Sequence, residues 1–129
     1  MTSQVNPDLS DEQKQVLFEG ATEHPGSGKH LSETREGVYS CANCSAELFR
    51  SDAKYESKTP GLVGWPSFAE AADNAALTLR EDTSLGMTRT EVLCAACGGH
   101  LGHLFTGVDD HPSGQHYCIN SCALDFHSQ

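Results

Sequence analysis

The spacing of apolar and polar positions divides this chain into one short helical stretch and a longer β-like body. Ser10 and Gln13, three residues apart, form a capping-box pattern, with Asp11 and Glu12 in the first turn and Gly20 as a stop, so a short N-terminal helix is predicted there. From His24 to Glu36 the composition turns to Pro, Gly, Ser and charge, as expected of a loop or arm laid over the body. After Gly37 come short β-like runs broken by Gly and Pro: Val38 to Ser40, Thr78 to Arg80, Thr88 to Leu93, Leu101 to Phe105 and Gln115 to Ala123. Strands this short predict a mainly β protein, a small antiparallel β-fold with one helix in front of it.

The last run carries the most chemistry. Period-two alternation sends Tyr117 and Ile119 one way and His116, Cys118, Asn120 and Cys122 the other. A thiol flanked on its own face by an imidazole and an amide is poorly explained as core packing and fits the surroundings of a reactive cysteine. On one regular strand the Cα atoms of Cys118 and Cys122 would lie about 13 Å apart, at ~3.3 Å per residue. A disulfide spans roughly 4.4–6.8 Å, so the two sulfurs meet only if the strand coils or breaks after Asn120. Cys122 therefore has two readings, a small buried apolar residue or a second redox thiol.

The other four cysteines form two Cys-x-x-Cys pairs, Cys41/Cys44 and Cys94/Cys97, with 49 residues between them (45–93). Each pair can present two thiolates from one tight turn, and two turns complete the closed four-sulfur shell that structural Zn2+ accepts. Disulfides are the rival reading. Met1 to Ser10 is polar, without the apolar core of a secretory signal, and no run reaches the roughly 18 apolar residues of a membrane span. The expected setting is the cytoplasm, where thiols stay reduced, and this favours the metal.

Length and charge narrow the field further. A chain of 129 residues is read as a single domain, with residues 1–8 expected to be flexible, and is small enough for a metal clip to matter to stability. Its 8 basic and 18 acidic residues give 8 − 18 = −10, too few cations for nucleic acid or an anionic membrane to be the partner.

Two further motifs remain. Gly98-Gly99-His100-Leu101-Gly102-His103-Leu104-Phe105 follows the second cysteine pair. Its histidines are metal ligands only in a mixed shell; if the four thiolates saturate the ion, His100 and His103 are available for proton transfer near neutral pH. Gly64-Trp65-Pro66-Ser67-Phe68 holds the single tryptophan, either a core anchor or the wall of an apolar pocket.

Taken in order, the two Cys-x-x-Cys turns, Gly64-Trp65-Pro66-Ser67-Phe68, Gly86-Met87-Thr88-Arg89, His100-Leu101-Gly102-His103 and Tyr117-Cys118-Ile119-Asn120-Ser121 closely resemble the B-type peptide-methionine (R)-S-oxide reductases. The resemblance runs from about Leu9 to Phe126. It implies a zinc-clipped β-fold of the β-tent type, with Cys41, Cys44, Cys94 and Cys97 as ligands. It also implies attack by a Cys118 thiolate on the sulfur of an oxidised methionine, leaving a cysteine sulfenic acid. On the same resemblance, His100, His103 and Asn120 orient or protonate the sulfoxide oxygen, and Trp65 and Phe105 cradle the ε-methyl group. The implied partners are proteins or peptides bearing methionine sulfoxide and a thioredoxin-like or low-molecular-weight thiol that restores the enzyme.

Two positions depart from the family pattern. His116 stands where an arginine is usual, so positive charge beside the thiolate becomes pH-dependent. Val63, after Lys58-Thr59-Pro60-Gly61-Leu62, stands where many members carry a resolving cysteine, which leaves Cys122 as the low-ranking substitute. The competing class is a non-catalytic, zinc-stabilised module binding a peptide or small ligand; it has no need of a reactive Cys118.

Overall fold

A computed structural model describes residues 9–21, 30, 33, 35–55, 65–83, 89–106 and 115–128. Helix α1 spans Asp11–Glu19 and is followed by strands β1 (Gly37–Cys41), β2 (Glu47–Arg50), β3 (Lys54–Tyr55), β4 (Ser67–Phe68), β5 (Leu77–Asp82), β6 (Arg89–Cys94), β7 (His100–Thr106), β8 (Gln115–Ile119) and β9 (Leu124–Ser128). The mainly antiparallel β architecture with one short helix is the one expected. The cap of α1 is also as expected: Ser10 and Gln13 make both reciprocal bonds, at 3.1 and 2.8 Å, and Gly20 closes the helix at φ 73°.

The strands form two sheets, one of three strands in the order β2-β1-β9 and one of six in the order β3-β4-β8-β7-β6-β5. Aromatic rings join them. Phe49 stacks on Phe68 at 4.4 Å, and Tyr39 meets Phe68 edge-on at 5.1 Å, with all three rings fully buried. Val16 and Leu17 bury the inner face of α1 against this core.

Three expectations need correction. The run from Gln115 to Ala123 is not one strand: β8 ends at Ile119, a 3-10 turn covers Ser121–Ala123, and β9 begins at Leu124. The break after Asn120 removes the regular spacing that held Cys118 and Cys122 about 13 Å apart. Strands β2, β3, β4 and β9 are additional to those expected. Of the arm from His24 to Glu36, only His30, Glu33, Arg35 and Glu36 are described; residues 1–8, Lys58 to Gly64 and Gly86 to Thr88 lie outside the described residues.

Candidate functional site

The two cysteine turns are copies of one another. In each, the residue after the second cysteine donates its N–H to the carbonyl of the first: Ser45 to Cys41 at 2.8 Å and Gly98 to Cys94 at 2.7 Å. Each first cysteine in turn donates to the carbonyl one residue further on, Cys41 to Ala46 and Cys94 to Gly99, both at 2.9 Å. Closing the turn this way needs a left-handed residue, met by Ser45 (φ 70°) and Gly98 (φ 78°). The turns face each other across the two sheets, with all four sulfurs within 4.8 Å of one another.

That geometry fits a metal, with all four thiols free. The short contacts run between the turns rather than within them, Cys41 to Cys97 at 3.7 Å and Cys44 to Cys94 at 3.5 Å. A tetrahedron with 2.3 Å metal–sulfur bonds has edges of about 3.8 Å. The S–H of Cys41 holds Cys94 down at about 5, while burial pushes Cys44 up to about 11. The donor set is four soft thiols in a closed shell, suited to a structural ion.

Beside the clip, sheet register assembles a polar row. Cys118 on β8 is opposite His103 on β7 and Ser67 on β4; His103 is opposite Glu91 on β6, and Glu91 opposite Arg80 on β5. Directly opposed residues share a sheet face, so Ser67, Cys118, His103, Glu91 and Arg80 line one surface. The next row brings Phe105 opposite His116, with ring centroids 6.3 Å apart.

His100 joins this face through a bulge. Residues three apart on a regular strand point to opposite faces. Here Val92 pairs with Gly102 but Leu93 pairs with His100, so β7 carries one extra residue, Leu101. The inserted residue restores His100 to the face of His103, and the two rings lie 5.5 Å apart. The bulge carbonyl is not wasted: Leu101 accepts from both the backbone and the side-chain amide of Asn120, at 2.9 and 3.0 Å. Gly102 permits the closeness of β7 and β8 here, since a Cβ on it would stand 2.1 Å from the carbonyl oxygen of Cys118.

Both histidines are held by carboxylates that the sequence reading passed over. Nδ1 of His100 lies 2.6 Å from Glu91, whose other oxygen is bound by Arg80, and Nε2 of His103 lies 2.8 Å from Asp82. Burial pushes His100 below the usual imidazole value against the opposing pull of Glu91. Burial raises the Glu91 carboxyl, and the bonds from Arg80 and His100 more than reverse this, leaving it below the ordinary carboxylate value. A lone acid on the apolar-facing strand Thr90-Glu91-Val92-Leu93 is the only sequence signal that marks the residue.

The remaining candidates fall at the margins of the row. Trp65 is half-buried, neither a fully enclosed core anchor nor a bare surface ring. It precedes the strand next to β8; the carbonyl of Pro66 accepts from Ile119 and that of Trp65 from Ser67. Phe105 is half-buried, 6.5 Å from His103. His116 is completely buried, its Nε2 3.0 Å from the Ser67 hydroxyl and its ring edge-on to Tyr55, which is a tighter seat than a charge-bearing replacement for arginine would suggest. Cys122 lies half-buried in the 3-10 turn, and its carbonyl accepts from the Gln13 side chain of α1 at 3.1 Å.

Fold and sulfur geometry together define a class, the mainly antiparallel β-proteins clipped by a four-thiol metal centre. Comparison with known proteins narrows the class. The SelR domain matches residues 9–128, and the chain belongs to that family. Among its relatives, the peptide methionine sulfoxide reductase MsrB of Leifsonia xyli subsp. xyli is 52% identical over 119 residues, covering 92% of this chain and 83% of that one. The proteins of the same name from Thiobacillus denitrificans and Teredinibacter turnerae are 46% and 44% identical, covering 97% and 94% of this chain and 91% and 86% of their own lengths. The crystal structure of the Mis18 'Yippee-like' domain shares the fold, with a TM-score of 0.57 over 74% of this chain and 98% of that one at 16% identity. No helix among the described residues is long and apolar enough to cross a membrane.

Proposed function

We propose that this peptide methionine sulfoxide reductase acts on the (R)-S-oxide, peptidyl or free, by direct attack of the Cys118 thiolate on the sulfoxide sulfur. The thiolate sulfur bonds to the substrate sulfur as the oxygen takes a proton; the protonated oxygen then passes to the Cys118 sulfur, breaking the methionine S–O bond and the transient S–S bond. The substrate sulfur is reduced by two electrons and the cysteine sulfur oxidised by two, leaving methionine and a Cys118 sulfenic acid. The observation that carries this reading is the row in which Cys118 stands in register with His103, with His100 brought beside it by the bulge.

The other residues have roles that follow from their places. His100 and His103 protonate or orient the oxygen, and Asn120, tied to the bulge carbonyl, fixes the end of β8 beside them. Trp65 and Phe105 offer apolar surface for the ε-methyl group, where an oxygen would lose its hydrogen bonds. Fixing methyl and oxygen on opposite sides selects one epimer. His116 supports the substrate pocket from below Phe105.

Cys41, Cys44, Cys94 and Cys97 hold one Zn2+, which supplies fold stability and no chemistry to the substrate. The reaction is completed by a thioredoxin-like protein or a low-molecular-weight thiol, with Cys122 as the only candidate resolving thiol among the described residues outside the clip. The chain is one domain across 1–129 and works in the cytoplasm, where its six cysteines stay reduced.

Single-turnover release of methionine without added reductant tests the assignment. Wild type should release one equivalent, Cys118→Ser none and Cys122→Ser one. A burst that survives Cys118→Ser and vanishes in Cys122→Ser would reverse the assignment of the nucleophile.

A further inference from the structure

Nothing in the reaction itself explains why His100 is tethered at one nitrogen to a buried acid whose other oxygen is occupied by an arginine. We propose that Glu91 is a positioning residue that fixes the tautomer of His100, and that Arg80 supports it by holding the oxygen His100 does not use. The proposal rests on the sulfoxide-reductase reading for its consequence, though not for its geometry.

The geometry divides the Glu91 carboxylate cleanly. Arg80 binds Oε1 through Nε at 3.0 Å and Nη2 at 2.7 Å, while Oε2 lies 2.6 Å from Nδ1 of His100. A carboxylate only accepts, so the hydrogen of the neutral ring sits on Nδ1. Nε2 is then the nitrogen with the open lone pair. It is buried and has no hydrogen-bond partner among the described residues. A polar atom left this way inside a protein calls for a partner, and here it stands on the face that carries Cys118 and His103.

With Nδ1–H anchored, only Nε2 can carry the proton that passes to the sulfoxide oxygen. Glu91 also stabilises the imidazolium that this cycle requires, the part a buried carboxylate plays behind a catalytic histidine. His103 is tethered by the opposite nitrogen, Nε2 to Asp82. The two imidazoles are therefore not interchangeable: His100 presents Nε2 and His103 presents Nδ1.

Glu91→Gln converts this into a measurement. Glutamine has one accepting oxygen and one donating NH2. Arg80 has only donors and must take the oxygen, which turns the NH2 toward His100 and drives its hydrogen from Nδ1 to Nε2. A neutral Nε2–H is a far weaker acid than the imidazolium.

In the full-length protein, Glu91→Gln should slow single-turnover methionine release by about 10²–10⁴-fold, the range for a lost general acid. The 15N resonances of His100 at high pH should report Nδ1–H in wild type and Nε2–H in Glu91→Gln. Adding Arg80→Met frees the amide to turn its oxygen to His100, and should restore the Nδ1–H tautomer and at least tenfold of the lost rate. Loss of packing alone would not be repaired by removing a second contact. The proposal is overturned if Glu91→Gln keeps the Nδ1–H tautomer, or keeps its rate within about threefold of wild type. Because the ring assignment needs no turnover, it fails or holds separately from the reductase reading, which fails if wild type itself releases no methionine.

Discussion

Ser45 is the one non-glycine among the described residues with positive φ, at 70°, and it occupies the position that Gly98 fills at 78° in the other cysteine turn. Left-handed backbone costs an L-residue with a Cβ about 1–2 kcal/mol, and glycine nothing comparable. Ser45→Gly should therefore raise the thermal midpoint by a few degrees and Gly98→Ala should lower it, with metal content unchanged in the first; a calorimetric scan with metal analysis checks both. The paired cysteines announced these turns in the sequence, because two thiols two residues apart have few other uses. Asp82 and Glu91 had no such signature. Each reads as a solvated charge until strand register places it behind a histidine. The surroundings of His100 and Glu91 also give acid sensitivity a sign. The folded-state values of His100 and Glu91 both lie below the ordinary ones, so their contribution is complete above the unfolded-state values and is lost as pH falls through the folded ones. The unfolding midpoint should fall on acidification from neutrality, and His100→Gln should flatten the upper part of that fall; a slope unchanged in the variant would remove His100 from the account.

At the scale of elements, the longer alternating runs were legible and the shortest pairings were not. Strands β6 and β7 carry enough residues for a period to appear, whereas β3 and β4 have two residues each and exist only by pairing, β4 against β8 and β3 against β4. The bulge at Leu101 was hidden for a different reason. Read alone, His100-Leu101-Gly102-His103 gives strict alternation and separates the histidines; only pairing with Val92 and Leu93 exposes the extra residue. Its neighbour Gly102 then becomes testable. A methyl at 2.1 Å from the Cys118 carbonyl must part β7 from β8 at the point where Cys118 faces His103. Gly102→Ala should lose both stability, by about 1–3 kcal/mol as for other overpacked sites, and single-turnover rate. A variant that loses stability but keeps its rate would mean that the spacing of the two strands is not what aligns thiol and imidazole.

Across the whole molecule, the metal clip is a tie between sheets rather than a local ornament. Cys41 and Cys44 belong to the turn joining β1 and β2 of the three-stranded sheet, and Cys94 and Cys97 to the turn joining β6 and β7 of the six-stranded one. The same β6–β7 hairpin carries Glu91, His100 and His103 on its site face, so the clip anchors one end of the element that presents the imidazoles. The buried core, including the aromatic group around Phe68, also joins the sheets, and Gly99 of this hairpin packs against Leu17 of α1. Removing the ion would leave four crowded sulfurs, of which one is favoured as a thiolate and Cys41 and Cys44 are pushed the other way. Metal analysis should find about one zinc per chain, and since metal binding is folding energy in clips of this kind, Cys94→Ala or strong chelation should lower the thermal midpoint by more than about 10 °C. The loss should include the site: at a temperature where the stripped protein is still folded, backbone hydrogen exchange should rise first in β6 and β7 and only later in β4 and β8. Uniform exchange, or a metal-free chain with wild-type protection in that hairpin, would show that the aromatic core alone holds the sheets together and that the clip has no part in keeping His100 and His103 in place.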